Sequence, residues 1–183
     1  PIACFEEKFG LNIPVAKSVL NLEKIYSNPC SLGTFIADCM QASAKTDIAF
    51  ISTGYTTHAL RYEKDKILTH YNLERAFSAD VPLQTILLSP QELKEVFNNA
   101  VKFRYLIPTG NTRFLQCSQN VELQCRCRND TQEGYITQIY INGEPLLKDD
   151  GTSVYQDKVI SCAVDPFVGS GEQGFDVLRP LPK

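Results

Sequence analysis

The stretch Ser31 to Gly54, SLGTFIADCMQASAKTDIAFISTG, constrains the fold of this chain more than any other. Leu32, Phe35, Ile36, Cys39 and Met40 recur at i, i+3, i+4, i+7 and i+8, the apolar stripe of a helix laid on a core. Ser31 is placed to cap its start, and Lys45 suits its C-terminal end. The period then changes. Ile48, Ala49, Phe50 and Ile51 form a short continuous apolar run, the pattern of a strand buried on both faces. Ser52, Thr53 and Gly54 end it in a loop. A helix, a tight turn, a buried strand and a Gly loop can present backbone amides to a ligand. They are also the parts of a plain αβ unit, and pattern alone favours the plain unit.

The chain has 183 residues, enough for one domain with a sizeable core. Residues 1–11 read as a lead-in or linker remnant and 12–183 as a single domain. Pro1 is not a natural start, so the chain reads as a mature form or a cut fragment. The net charge of -3 gives no electrostatic reason to bind nucleic acid or an anionic membrane. No apolar run approaches the length of a membrane span. Seven cysteines are many for this size, and their odd number leaves at least one unpaired within the chain. There is no C-x-x-C, and the only histidines are His58 and His70, so zinc spacing is absent. Cys39, Cys125 and Cys127 fall on faces expected to be buried and read as free core thiols. Disulfides among Cys4, Cys30, Cys117 and Cys162 stay open if the protein is secreted. The sequon Asn129-Asp130-Thr131 is compatible with that.

Along the chain, Asn12 to Leu20 suggests a strand, and Tyr55 to Tyr71 a polar loop with Lys64, Asp65 and Lys66 exposed. Asn72 to Phe77 suggests one helical turn. Gln84 to Leu88 reads as a buried strand. It runs into a capping box, with Ser89 as N-cap, Pro90 at N1 and Glu92 at N3. Leu93, Val96, Phe97, Ala100 and Val101 give that second helix one apolar face. Val121, Leu123, Cys125 and Cys127 alternate with Glu122, Gln124, Arg126 and Arg128, a half-exposed strand. Tyr135 to Ile141 is the next strand, with Asn142-Gly143 as a hairpin turn. Asp149-Asp150-Gly151 is another turn, and Val159 to Val164 is the last core strand. A Gly-rich loop at 169–174 closes the domain. Strands and helices interleave without a regular βαβ repeat, which predicts an α+β fold with mixed sheets.

No catalytic constellation stands out. There is no G-x-S-x-G elbow, no P-loop and no dinucleotide fingerprint. A two-metal phosphatase centre needs a cluster of His, Asp and Asn, and two histidines in polar surroundings cannot supply it. Any enzyme built on this chain takes its catalytic centre, and any divalent metals, from elsewhere; none are expected here.

LGTFIADCM (32–40), followed by TDIAF (46–50) and a Gly-containing loop, resembles the opening of the 5′-nucleotidase C-terminal domain family. That is the substrate-binding domain which follows a metallophosphatase domain in secreted nucleotidases and UDP-sugar hydrolases. LQTILLSPQELKEVF (83–97), YITQIYINGEPL (135–146) and DPFVGSGEQGFDVL (165–178) fit in the same order, so the resemblance runs from Val15 to Leu178. It implies a layered α/β/β/α arrangement and a preceding metallophosphatase domain as covalent partner. Secreted, vacuolar or periplasmic placement follows by the same analogy. It also implies a nucleoside or nucleotide ligand, its base held between two phenylalanines, contacted by an Asn and an Asp, with arginines on the ribose and phosphate side.

Carried over position by position, the family's P-F-x-N motif falls on Ser78, Ala79, Asp80 and Val81, which lose its ring and its amide. The second phenylalanine is kept as Phe167, while G-G-D-G has become Gly171, Glu172, Gln173 and Gly174. The N-x-G-G-I-R loop falls on residues 52–57, so that its arginine is Thr57. Two earlier arginine positions fall near Leu22 and Tyr26. The resemblance therefore marks Phe167, Gly54, Thr57, Gln173, Gly171 and Ala79 as the substrate-binding positions, where loops 52–57, 78–82 and 167–175 meet. Tyr55 or Tyr26 is a candidate second stacking face, and Lys24 and Arg61 are candidate replacement cations. Two functions remain in view: a divergent nucleotide-binding domain, or a degenerate domain kept as a structural or protein-interaction module.

Overall fold

The structure is a computed structural model that describes residues 10–23, 25, 28–56, 61–76, 82–102, 113–155 and 157–179. Its centre is a parallel pair, β3 (Ile48–Ser52) and β11 (Ile160–Val164), with Cys162, Ala163 and Val164 beside Ile48, Ala49 and Phe50. All five residues of β3 are buried, as its unbroken apolar run predicts. β6 (Gln84–Leu88) pairs antiparallel with β11, and β7 (Leu115–Cys117) antiparallel with β3, giving a mixed sheet in the order β6–β11–β3–β7. A second, antiparallel sheet runs β10 (Glu144–Pro145), β9 (Gly134–Ile141), β8 (Val121–Cys127). Asn142 and Gly143, with φ of 53° and 79°, turn β9 into β10 as their Asn-Gly sequence predicts. Two short ribbons complete the sheets: β1 (Pro14–Lys17) with β5 (Ile67–Thr69), and β2 (Leu22–Glu23) with β4 (Arg61–Tyr62).

Alternation along β3 and β11 divides the core. Ala49, Ile51 and Ala163 face α1 (Ser31–Ala44). Ile48, Phe50, Cys162 and Val164 face the other way, into a larger cluster built with α3 (Pro90–Lys102) and the β8–β9 sheet. The α+β arrangement is therefore a helix, the mixed sheet, and a far side of sheet and helix. The capping box holds as expected. Glu92 accepts from the Ser89 N–H at 2.8 Å, and the Glu92 N–H reaches the Ser89 hydroxyl at 3.3 Å. All five predicted core residues of α3 are buried, and Phe97 meets Phe50 edge-on at 5.4 Å.

α1 departs from its predicted face. Its buried residues are Leu32, Gly33, Ile36, Ala37 and Met40, whereas Phe35 is half-buried and Cys39 is exposed. The small residues Gly33 and Ala37 turn inward and let the helix lie close to the sheet. Gly33 is required by Gln116, a buried residue of β7 laid across the first turn. A Cβ at position 33 would stand 2.6 Å from the Gln116 Cβ. The Gln116 carboxamide accepts from the Cys30 N–H at 2.9 Å and donates to the Asn28 carbonyl at 2.9 Å. The cap is Cys30 instead of Ser31; its thiol accepts from the Gly33 N–H. The Ser31 hydroxyl instead joins the helix to the chain before it, donating to the Asn21 carbonyl at 2.8 Å and accepting from the Glu23 N–H at 3.1 Å. Lys45 ends the helix through its backbone, left-handed at φ 55°, with its N–H on the Gln41 carbonyl.

Several sequence expectations shift. The segment read as loop from Tyr55 contains β4, β5 and α2 (His70–Glu74), which Thr69 and Asn72 cap reciprocally. That helix replaces the turn expected at Asn72 to Phe77. The first strand is shortened to Pro14–Lys17. β6 is an outer strand with Thr85 and Leu87 exposed, and is not buried on both faces as expected. Cys125 and Cys127 are half-buried, because β8 is a surface strand of a three-stranded sheet.

Gly33→Ala should lower stability despite the better helix propensity of Ala. Overpacking against Gln116 costs about 1–3 kcal/mol, against a gain of about 1 kcal/mol from propensity; urea unfolding of the two proteins measures the difference. The thiols give a second check. Burial pushes the Cys117 thiol up to about 12 and raises that of Cys162 further, while Cys39 is exposed. Among the six cysteines of the described residues, native alkylation followed by mass spectrometry should therefore label the exposed Cys39 well before the buried Cys162.

Candidate functional site

Because β3 and β11 are parallel neighbours, the segments that follow them leave the same edge of the sheet. In open sheets this carboxyl edge is where ligands bind. After β3 the chain makes a 3-10 turn at Thr53–Tyr55, and after β11 the short helix α4 (Pro166–Gly169) and a second 3-10 turn at Glu172–Gly174. Two of the three loops expected to meet are therefore adjacent. Residues 57 and 78–81 of the others, including Thr57 and Ala79, lie outside the described residues, as do Lys24 and Tyr26.

Asp165 ties the two segments together. Its side chain is fully buried, and one carboxylate oxygen accepts from the Ser52 N–H at 2.8 Å. The other accepts from the N–H groups of Phe167 and Val168, both at 3.0 Å, and so caps α4. Pro166 at N1 fits this cap because it needs no partner for an N–H. Burial pushes the Asp165 carboxyl above its ordinary range, and these three N–H groups pull it part of the way back. Sequence reasoning missed this residue, although Asp followed by Pro is a helix-start pattern that could have found it.

The turn after β3 is held firmly. Thr53 is buried, with its N–H at 3.0 Å and its hydroxyl at 2.6 Å from the Phe114 carbonyl. The Gly54 N–H is turned back onto the Ser52 hydroxyl at 3.2 Å. Gly54 is exposed, yet its amide closes the turn instead of pointing at a ligand. The result is that Tyr55 and Phe167, both half-buried, meet edge to face, with ring centroids 6.2 Å apart and planes at 74°. Burial raises the Tyr55 hydroxyl above its ordinary value, and the nearby charges of Asp165 and Glu172 raise it further.

Gly171 is left-handed at φ 76° and starts the turn containing Gln173. Its carbonyl accepts from the Arg179 guanidinium at 3.2 Å, and Arg179 also pairs with Asp176 at 3.0 Å. Arg61, on β4, pairs with Glu63 at 3.1 Å. On the same edge, the side-chain oxygen of Gln84 faces Gly169, buried and without a hydrogen-bond partner. A cleft of about 240 Å³ lies elsewhere, lined by Thr34, Phe114, Cys117, Val121 and Leu123 among others. Among the described residues no group of three or more His, Cys, Asp or Glu is arranged to hold a metal ion, and no helix is long and apolar enough to cross a membrane.

Asp165→Ala should cost about 3 kcal/mol or more in urea unfolding, since three N–H groups lose a charged acceptor in the interior. The pH dependence follows from its direction of shift. A carboxyl whose folded pKa lies above its ordinary 3.8 contributes stability that is full below that value. The contribution is lost as pH rises through the folded pKa. Asp165→Asn should remove this slope from the stability profile.

Comparison with known proteins places this geometry. The family model described as "5'-nucleotidase, C-terminal domain" matches residues 12–180. No curated protein sequence matches the chain. Among solved structures, a 5'-nucleotidase precursor of Thermus thermophilus superposes with a TM-score of 0.72 at 17% identity, over 97% of this chain and 34% of that one. The NAD nucleotidase of Haemophilus influenzae gives 0.67 at 12% identity, over 97% and 33%. The sulfate thiohydrolase SoxB of Thermus thermophilus gives 0.62 at 11% identity, over 90% and 30%. This chain thus spans about a third of the length of the solved chains it matches. At these identities the superpositions speak to the fold, and together with the family model, which runs nearly from end to end, they establish that the chain belongs to the 5'-nucleotidase C-terminal domain family.

Proposed function

We propose that this domain is a ligand-binding unit of a 5′-nucleotidase-family protein and takes the base and sugar of a nucleoside at the carboxyl edge of β3 and β11. The observation that carries the reading is the half-buried pair Tyr55 and Phe167, set by two firmly held segments at that edge. Aromatic faces hold bases by about 1–3 kcal/mol each. Asp165 and Glu172 lie near Tyr55 and Arg179 is paired with Asp176, so among the described residues the reading places base and sugar, and not phosphate, at this edge. The hydrolytic chemistry of the whole protein, on this reading, belongs to a preceding metallophosphatase domain with its own divalent metals.

A second reading has its own support. Tyr55 already covers part of the Phe167 ring, which suits a packing role, and the same fold occurs in a protein whose substrate class is not a nucleotide by its name, the sulfate thiohydrolase. On that reading the domain is a structural or interaction module.

NMR titration with adenosine and with AMP separates the two. Adenosine should bind in the millimolar range, roughly -4 kcal/mol, with shifts confined to residues near Gly54, Tyr55 and Phe167. AMP should bind no better than adenosine. Phe167→Ala should abolish the shifts while keeping the fold. No shift with either ligand at high concentration would leave the module reading in place. A clear gain from the phosphate would mean that a cation serves this edge.

A further inference from the structure

Nucleoside binding leaves one sequence motif without a role. Asn129-Asp130-Thr131 is the only Asn-x-Ser/Thr triplet of the chain, the acceptor pattern for N-linked sugar. It lies at the tip of the β8–β9 hairpin, where Cys127 pairs with Gly134 and residues 128–133 make the turn. Two backbone bonds close that turn, from the Arg128 N–H to the Glu133 carbonyl and from the Gln132 N–H to the Arg128 carbonyl, both 2.9 Å. Gln132 is left-handed at φ 57°, and its side chain donates to the Asn129 carbonyl at 3.1 Å. Asp130 accepts from the Thr131 N–H at 2.9 Å. Lys102, in the last turn of α3, pairs with Glu133 at 3.4 Å and ties the tip to the helix.

The Asn129 carboxamide takes no part in holding this turn. Every residue from Arg128 to Gln132 is exposed, and among the described residues the Asn129 side chain makes no hydrogen bond. Other asparagines are committed: Asn21 accepts from the Lys64 N–H and Asn98 from the Ile136 N–H, each at 2.7 Å, while Asn72 caps α2 and Asn120 donates to the Asp47 carbonyl. The Thr131 hydroxyl has only a long contact, accepting from the Glu133 N–H at 3.4 Å. A tip held through its backbone, with the acceptor amide outside, can carry a bulky polar adduct without disturbing either strand. We propose that Asn129 is an N-glycosylation site, and that the natural protein passes through a compartment holding a lipid-linked oligosaccharide diphosphate. In the transfer, Nδ2 of Asn129 attacks the anomeric carbon of the first sugar. The new carbon–nitrogen bond replaces the carbon–oxygen bond to the diphosphate. The amide nitrogen loses one proton, and the lipid diphosphate leaves with the electron pair. Thr131 provides the hydroxyl that completes the acceptor triplet. The proposal does not depend on nucleoside binding.

Peptide mapping of the protein isolated from its own organism tests it. Cleavage after glutamate gives the peptide 123–133, in which Asn129 is the only asparagine. That peptide should be recovered with sugar attached, and electron-transfer fragmentation should place the sugar on Asn129. Asn129→Gln and Thr131→Ala, made in the same organism, should each return the peptide to its unmodified mass, whereas Thr131→Ser should keep the sugar. None of the three should shift the urea midpoint of the 183-residue chain, because the side chains changed are exposed. Recovery of the natural peptide wholly at its unmodified mass overturns the proposal. So does sugar found on Thr131 instead of Asn129. A modification of Asn129 that persists in Thr131→Ala overturns it as well, since it would not depend on the triplet.

Discussion

Two aspartates close the ends of the parallel pair on which this domain is built. Parallel ladders are slanted and somewhat weaker per residue than antiparallel ones, and these strands have five residues each. At one end Asp47, just before β3, accepts from both the N–H and the hydroxyl of Ser161 on β11, each at 2.8 Å. At the other end Asp165, just after β11, accepts from the N–H of Ser52 on β3. The partners are separated by more than a hundred residues, so each bond closes a long loop at a point where the ladder would otherwise fray. The second clamp also determines where Phe167 stands, because the same carboxylate caps α4. Fold and candidate site thus share one buried carboxylate, held by the N–H groups of Ser52, Phe167 and Val168.

A comparable economy holds on the other face. Gln116 commits both ends of its carboxamide to the segment that leads into α1, and its aliphatic part fills the space that Gly33 leaves. The helix can then approach β3 and β11 closely, over Ala49 and Ala163. Small residues on both sides of that contact explain why the buried face of α1 is rotated away from Cys39. Close approach, more than apolar volume, decides which face of the helix turns inward.

These two cases show what sequence could and could not convey. Elements whose signal is local were legible: the Ser89–Glu92 capping box, the apolar face of α3, the alternation of β8 and the Asn142–Gly143 turn. Each rests on contacts within a few residues. Of the short ribbons only β1 was legible, because strands of two or three residues carry no periodicity, and β4 and β5 exist through pairing with β2 and β1. The orientation of α1 depended on Gln116, 83 positions beyond Gly33 in sequence and invisible to any helical pattern. The site was partly legible for the same reason. Phe167 and the glycines could be matched to a motif, whereas the approach of Tyr55 to Phe167 follows from the parallel register of β3 and β11, which no local pattern encodes.

That approach sets a limit on what the edge can bind. A base sandwiched between two rings needs them about 7 Å apart and parallel, two van der Waals separations of about 3.5 Å each. Tyr55 and Phe167 are 6.2 Å apart and nearly perpendicular, so the edge of one ring fills the place of a guest. An edge-to-face pair is worth about 0.5–1.5 kcal/mol beyond its buried area, and a stacked base about 1–3 kcal/mol. A base stacking on Phe167 would give up the first to gain the second, and the surplus is small. Any binding here would therefore be weak unless other contacts add to it. Asp165 and Glu172 lie near the Tyr55 hydroxyl, so neutral hydrogen bonds to base and sugar suit this part of the edge better than a phosphate does. On the proposed nucleoside-binding reading, a base that stacks on Phe167 must first displace Tyr55, so the test of that reading bears on the Tyr55 ring as much as on Phe167.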